Sequence, residues 1–285
     1  MDGILSSKIT EIHPSRILSH RMRWALLFLT LPLFGAYVGN PASPGIMNQG
    51  FFSARSPLFK FTSGYLADYI SNKRYVSSRQ TTMLDPNPPF RHFGLHSQMA
   101  SASLILIERF ELFGMAGGTK EHPEWRKSVT WSDWSTVLVD FQSSYHFSWS
   151  TGAKVILLQW GQTYFSTDFT YFAIPKSHKS YFRFLNRLNL PLETKDQSFA
   201  INEWQMSLGL SSKFWFLTPY GGMTYLHSRL KIRAGAEVPA LYYKNEEKYG
   251  YFYGLTLSVT GRMHLNFERR VRDEFAYSAA LVAVF

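Results

Sequence analysis

Long runs in which polar and apolar residues alternate constrain the fold of this chain most. In one run the odd positions, apart from Thr151, are aromatic or aliphatic and the even positions are small or polar (Tyr145, Phe147, Trp149, Ala153, Val155 and Leu157 against His146, Ser148, Ser150, Gly152 and Lys154). Similar alternation returns over residues 202–216 and 249–260. Because successive side chains of a β-strand point to opposite faces, each run predicts a strand with one apolar face. The runs exceed the roughly five or six residues of a soluble strand and approach the 9–11 that cross a membrane.

The alternation and the turn residues together predict twelve strands. They are expected near residues 46–53, 59–70, 75–84, 95–106, 110–118, 145–157, 163–173, 202–216, 220–232, 249–260, 263–271 and 275–285. Tight connections are predicted at 71–74, 107–109, 158–161, 217–219 and 260–262, and long ones at 85–94, 119–144, 174–201 and 234–248. Short turns at one end and long loops at the other are typical of outer-membrane barrels.

The predicted fold class is therefore all-β, a transmembrane antiparallel β-barrel over residues 37–285 with about 12 strands. The loops 119–144 and 174–201 could each contain another hairpin, which extends the range to 12–16 strands. An even count places both ends of the chain on the periplasmic side.

The composition agrees with a barrel and excludes several other classes. The chain is 17% aromatic and only 18% charged, with a mean hydropathy of −0.15. A helical membrane protein needs roughly 20 consecutive apolar residues per span, whereas only every second residue of a barrel strand meets lipid. With no cysteine in the chain, disulfides, thiolate metal sites and cysteine nucleophiles are impossible.

The N-terminal region predicts export. Arg21 and Arg23 precede an apolar run of 13 residues, 24–36, which is too short to span a bilayer comfortably and has the length of a signal-peptide core. We predict a signal peptide over residues 1–36, with Met22 as a possible true start; a buried core helix is the alternative. Export predicts a place in the bacterial outer membrane, in contact with its lipid.

The C-terminal residue supports this destination. Phe285 ends a stretch in which Phe275, Tyr277 and Leu281 share one face. A closing strand of this form predicts recognition by the bacterial barrel-assembly machinery. The net charge of +10 comes without a Lys/Arg run or a nucleic-acid motif, so no nucleic-acid partner is predicted.

Several segments resemble the chlamydial major outer membrane protein family of porins. They are residues 38–42, 64–69, 108–113, 147–154, 203–208, 218–220 and 268–274, and the match over 147–154 is the closest. The resemblance runs over nearly all of residues 37–285 and implies a porin that can assemble as a homotrimer. Typical members are larger and cysteine-rich, so this cysteine-free chain is expected to be a minor paralogue without their cross-linking role.

The expected function is that of an outer-membrane porin for passive diffusion of small hydrophilic solutes. The polar strand faces predict these pore-lining residues: Lys154, Gln162, Asp168, Glu203, Gln205, Lys213, Arg229, Lys231, His264, Glu268 and Arg270. Charged rings set ion selectivity in pores, and bases outnumber acids here, so anionic solutes are expected. The alternative is a non-conducting barrel with a structural or surface-interaction (adhesin-like) function.

No catalytic residue, metal ligand or cofactor is predicted. His146 and Ser148 share one strand face at a spacing that could support a hydrolase, but the sequence places no acid to orient the histidine. His92 and His96 have a spacing of four, yet Gly94 lies between them and two prolines precede them, which favours a loop over a metal-binding helix.

Overall fold

The computed structural model describes residues 38–46, 58–78, 92–129, 135–176, 181–185, 197–234, 241–272 and 274–285. These residues belong to one compact unit, Leu33–Phe285. The predicted signal peptide and Met22 lie outside the described residues. No helix in the described ranges is long and apolar enough to cross a membrane.

One short helix and a series of strands follow each other along the described chain. They are α1 (Ser43–Ile46), β1 (Phe59–Lys73), β2 (Tyr75–Ser77), β3 (His92–Leu106), β4 (Phe110–Val129), β5 (Ser135–Gln142), β6 (His146–Trp160), β7 (Thr163–Ile174), β8 (Tyr181–Leu185), β9 (Gln197–Ser212), β10 (Leu217–Ala234), β11 (Leu241–Asn245), β12 (Tyr249–Thr260), β13 (Met263–Val271) and β14 (Glu274–Val284).

Within the described ranges, ten strands form a closed antiparallel ring. Their order is β1, β3, β4, β6, β7, β9, β10, β12, β13 and β14. The ring closes where β14 pairs with β1, from Thr62↔Val284 to Lys73↔Glu274. Closure pairs the backbone groups that an open sheet edge would leave unsatisfied in lipid.

The predicted count of twelve strands is therefore two too many for this ring. The tight turn predicted at 71–74 is wrong, because β1 runs to Lys73 and β2 continues in the same direction after a bulge between Ile70 and Asn72. The predicted strand 46–53 begins at Ile46, which ends α1, and its other residues lie outside the described ranges. The remaining ten predicted strands all overlap strands of the ring.

The two ends of the barrel differ, as the connection lengths predict. Residues 107–109, 161–162, 213–216 and 261–262 form tight connections at one end, called here the turn end. At the opposite loop end, β5 pairs with β4 and β8, and β11 pairs with β10 and β2. The connection predicted at 119–144 instead holds the end of β4 and the strand β5, which pairs with β4 outside the ring and does not add a strand to it.

The outer wall carries an apolar band between two aromatic belts. At the turn end, Trp160 and Trp215 are 89% and 88% exposed. At the loop end, neighbouring rings contact each other around the wall, and these residues are called the loop-end belt: Tyr69, His96, Tyr145, Trp149, Tyr171, Trp204, Tyr225 and Tyr249.

The distance between the belts fits a bilayer. Phe61 packs on Phe285 at the turn end and Tyr69 lies in the loop-end belt, eight positions along β1. At about 3.3 Å per residue and a tilt of about 40°, that separation is roughly 20 Å along the barrel axis. An apolar band of this height between aromatic girdles defines a transmembrane β-barrel.

Candidate functional site: the barrel lumen

Most of the predicted pore-lining residues do point inward. Buried on inward strand faces are Lys154, Asp168, Glu203, Gln205, His264, Glu268 and Arg270. Gln162 is exposed in the turn between β6 and β7, and Lys213 is half-buried just after β9. Whether any of them lines a conducting pore stays a prediction.

Two predicted lumen residues lie on the outside of the wall. The inward face of β10 carries Leu226, Leu230 and Ile232, all buried, so Arg229 and Lys231 face outward. The prediction that these two bases line the lumen is wrong. The alternation was correct, but in this part of β10, beyond the loop-end belt, the outward face is polar and the inward face is apolar.

The turn-end half of the lumen is filled by the segment Val38–Ile46, called here the inner segment. Its side chains and backbone contact β4, β6, β7, β9, β10, β12 and β13. Val38 donates its backbone N–H to Glu268 Oε1 at 2.8 Å, and Ser43 donates its hydroxyl to Glu111. Because these partners surround it on seven strands of the ring, the segment occupies the lumen and does not lie against one wall.

Asn40 is the polar centre of the inner segment. Its Nδ2 donates to Thr256 Oγ1 at 3.0 Å, and its Oδ1 accepts a hydrogen bond from Ser211 at 2.7 Å. The Lys154 ammonium donates to its backbone oxygen at 3.4 Å. Gly39, just before it, has a φ of 70°, which glycine adopts without the steric cost that a side chain adds.

Apolar contacts also hold the inner segment. Ala42 and Ile46 pack on Ile156 and Tyr164, whereas Val38 packs on Tyr220 and Phe252. The segment was missed as a lumen element because nine residues without a period of two or 3.6 carry no secondary-structure signal. Its buried Asn40 has partners 114 to 216 residues away in the sequence.

Charged side chains from opposite walls meet further along the lumen and are called here the charged layer: Asp68, Lys73, Glu203, Arg270 and Glu274, all buried. Lys73 forms ion pairs with Glu203 and with Glu274, the latter at 3.1 Å between Nζ and Oε2. Arg270 forms an ion pair with Glu274. Buried charges are tolerated where such pairing compensates for the lost hydration.

The charge of the interior differs from the sequence-based expectation. Among the described residues, four bases are buried (Lys60, Lys73, Lys154 and Arg270) and seven acids (Asp68, Glu111, Glu121, Asp168, Glu203, Glu268 and Glu274). The expected anion preference depended on Arg229 and Lys231, which lie outside. Without them the buried acids outnumber the buried bases, and the reason for expecting anionic solutes is lost.

A compact apolar cluster fills the loop-end half of the lumen and is called here the apolar layer. Eight strands contribute to it through Ile70, Tyr75, Phe93, Leu95, Ile174, Phe199, Ile201, Leu230, Ile232, Tyr243 and Ala276. Phe93 and Phe199 are completely buried, and Tyr75 and Phe93 contact edge to face with ring centroids 4.9 Å apart. Its members are buried and pack against each other as side chains do in the core of a soluble protein.

Two small cavities adjoin these layers among the described residues. One cavity of about 40 Å³ is lined by members of both layers, including Asp68, Ile70 and Glu203. A second of about 40 Å³ adjoins Ser43, Glu111 and Lys154. A water needs roughly 10–15 Å³ measured in this way, so each cavity has room for a few waters and not for a hydrated solute.

The residues considered for hydrolysis and metal binding have structural partners. Ser148 is buried and accepts a hydrogen bond from Thr119 Oγ1 at 2.7 Å, and Thr119 is also paired with Ser97 at 2.8 Å. His92 and His96 lie in β3, where four residues span about 13 Å, too far to share one metal ion. The described residues contain no cluster of three metal-ligating side chains. The absence of catalysis stays a prediction.

Sequence comparison gives no family for this chain, and no curated protein matches it. Several solved structures are similar in shape. The outer membrane protease OmpT from Escherichia coli is 9% identical over 81% of this chain and 98% of that chain, with a TM-score of 0.41.

Two further structures are similar at lower scores. The Ralstonia pickettii toluene transporter TbuX is 9% identical, covers 86% of this chain and 90% of that chain, and has a TM-score of 0.37. Ail, the attachment invasion locus protein of Yersinia pestis, is 11% identical over 80% and 97% of the two chains, with a TM-score of 0.28. These values assign no activity to this chain.

Proposed function

We propose that this protein is a sealed outer-membrane β-barrel that acts through its outer and loop-end surfaces and does not conduct solutes through an open lumen. The apolar layer is the observation that carries the proposal. A hydrated ion would have to shed its water to pass side chains such as Phe93 and Phe199, and hydrophobic constrictions of this kind block conduction.

The strand lengths support a surface function. β4 has 20 residues and β10 has 18, about twice the 9–11 that cross a membrane. Their loop-end parts pair with β5 and β11, so the wall continues as sheet beyond the loop-end belt. A rigid sheet held above the membrane is a suitable platform for contact with other molecules.

A porin is the second candidate, and the polar turn-end half of the lumen favours it. There the lumen is occupied by the nine-residue inner segment, which forms hydrogen bonds to Glu268, Thr256 and Ser211. Conduction would require displacement of this segment and separation of the apolar layer. The excess of buried acids favours cations in a lumen opened in this way. The relationship to the chlamydial porins and the homotrimer stay predictions.

Planar-bilayer recordings distinguish the two candidates. Protein purified from bacterial outer membranes, checked for folding by heat-modifiable gel migration, should give no stable conductance steps in KCl. The lumen variant Phe199→Ala should give conductance events more often than the lipid-side variant Phe147→Ala, because only Phe199 lies in the apolar layer. Regular steps from the unmodified barrel would instead establish the porin, and its reversal potential in a KCl gradient would give the preferred ion.

A further inference from the structure

The outward face of β10 changes character along its length. From the turn end towards the loop end, alternate residues are Met223, Tyr225, His227, Arg229, Lys231 and Arg233. Met223 is 53% exposed in the apolar band, and Tyr225 lies in the loop-end belt. The next three outward-facing positions beyond His227 are all bases, which places three positive charges in a row on the loop-end side of the aromatic belt.

The neighbouring strand adds a fourth base. Lys244 of β11 lies directly opposite Arg229 in the register, and both side chains are exposed. These four residues, Arg229, Lys231, Arg233 and Lys244, are called here the basic stripe. Like charges directly opposite each other on a sheet are destabilising unless an anion neutralises them.

The contacts within the wall do not supply that anion. Arg229 Nε donates to His227 Nε2 at 3.1 Å, and the Lys231 ammonium lies 5.3 Å from the centroid of the Tyr242 ring. Within the described ranges, no carboxylate forms an ion pair with Arg229, Lys231 or Lys244. Among the described residues, the positive charge of the stripe is therefore not paired with a carboxylate.

The position of the stripe identifies the chemistry that it fits. Aromatic belts lie at the level of the lipid headgroups, so side chains just beyond Tyr225 and Trp204 meet the headgroups from the side. Arg229 and Arg233 are four residues apart, or roughly 13 Å along the strand. Arginine binds phosphate in a bidentate manner and lysine binds it as a point charge.

We propose that the basic stripe binds the phosphate groups of an anionic lipid in the leaflet at the loop end of the barrel, with the acyl chains against Met223 and the neighbouring apolar wall. A lipid is favoured over a free anion because the same strand face provides an apolar wall, an aromatic belt and then cations. This order matches the acyl chains, the interfacial region and the phosphate groups of a lipid. This inference holds whether or not the lumen conducts.

Lipid binding to the detergent-solubilised barrel tests the proposal. The probe is lipid A carrying two phosphates, titrated and followed by native mass spectrometry. Arg229→Gln combined with Lys244→Gln should weaken binding roughly tenfold or more, because each base near an anionic headgroup contributes favourably. Raising the salt concentration should weaken binding to the unmodified protein.

Three controls make the result specific. Arg109→Gln with Lys176→Gln removes the same charge from exposed positions outside the stripe and should leave binding unchanged. Lipid A without phosphates should bind poorly, and inorganic phosphate should not compete at concentrations equal to the lipid. Equal binding by the stripe variant, an equal loss in the control variant, or tight binding of inorganic phosphate would each overturn the proposal. Heat-modifiable migration of both variants verifies that they are folded.

Discussion

Lys73 of β1 and Glu203 of β9 form an ion pair across the width of the barrel. Five steps separate these strands in either direction around the ring of ten described strands, so the pair joins opposite walls. Glu274 gives Lys73 a second partner at 3.1 Å. Ion pairs between opposite walls and apolar packing therefore both stabilise the interior of the barrel.

Removal of the central base should be costly. Lys73→Met leaves Glu203 and Glu274 buried without their shared cation, and breaking a buried pair in this way costs about 3–5 kcal/mol. Urea unfolding of the barrel in lipid vesicles measures the loss. Lys60→Met is the matched control, because its partner Glu108 is 46% exposed and water can solvate it; the expected loss is below about 1 kcal/mol. Equal decreases in the free energy of unfolding for the two variants would show that the ion pairs of Lys73 do not stabilise the barrel.

The inner segment should be protected from reagents in water. The chain has no cysteine, so a single introduced thiol reports on one position. Asn40→Cys, at a site that is 1% exposed in the lumen, should react with a hydrophilic maleimide far more slowly than Gln162→Cys in the exposed turn at the same end. Both should react fully after boiling in detergent. Comparable rates in the folded barrel would place Asn40 outside the lumen.

Glycines on the two faces of the wall should respond in opposite ways to substitution. A Cβ at Gly254 would collide with the Tyr220 ring, which packs over it, whereas a Cβ at Gly114 would meet nothing within 4 Å. Gly254→Ala should therefore destabilise the barrel by about 1–3 kcal/mol. Gly114→Ala should be neutral or slightly stabilising, since alanine loses less backbone entropy on folding. Midpoints of urea unfolding in vesicles compare the two variants.

Glu121 should make stability depend on pH. Thr119 is the last residue of β4 that pairs with β6, and Glu121 lies beyond it and beyond the loop-end belt. Burial raises the pKa of this carboxyl from 4.5 to about 7, although hydrogen bonding with Ser143 opposes the shift. The folded barrel therefore holds this proton more tightly than the unfolded chain does.

This difference in proton affinity determines how the free energy of unfolding changes with pH. Below pH 4.5 the carboxyl is neutral in both states, so it has no effect on the free energy of unfolding. Between pH 4.5 and 7 its contribution to stability falls, by up to about 3 kcal/mol, and above pH 7 the penalty is constant. Glu121→Gln should remove this slope when unfolding is measured from pH 4 to 8. A slope identical to that of the unmodified protein would contradict the assignment.

Local sequence patterns were sufficient to predict the strands and the faces of their side chains. The predicted bounds of β12 and β13 coincide with the observed ones, and Phe147 and Ser148 lie on the outward and inward faces as the alternation predicts. Such features depend on neighbouring residues alone, because the pleat of a strand sends successive side chains to opposite faces. The tight turns after β3 and β12 were found for the same reason.

Such patterns could not predict which side chains occupy the lumen at each depth. Arg229 and Leu230 alternate as the residues of a membrane strand do, yet the base is outside and the leucine is in the apolar layer. Alternation establishes that a strand has two faces, and the depth of each residue relative to the membrane decides which face is polar.

By itself, then, the sequence determined an antiparallel barrel and ten of its strands, through alternation that each strand carries within its own residues. Only the tertiary structure decided that the barrel is filled. The hydrogen bonds of Asn40 and the ion pair of Lys73 join residues more than 100 positions apart, and such contacts exist only after the ring has closed and its opposite walls have met.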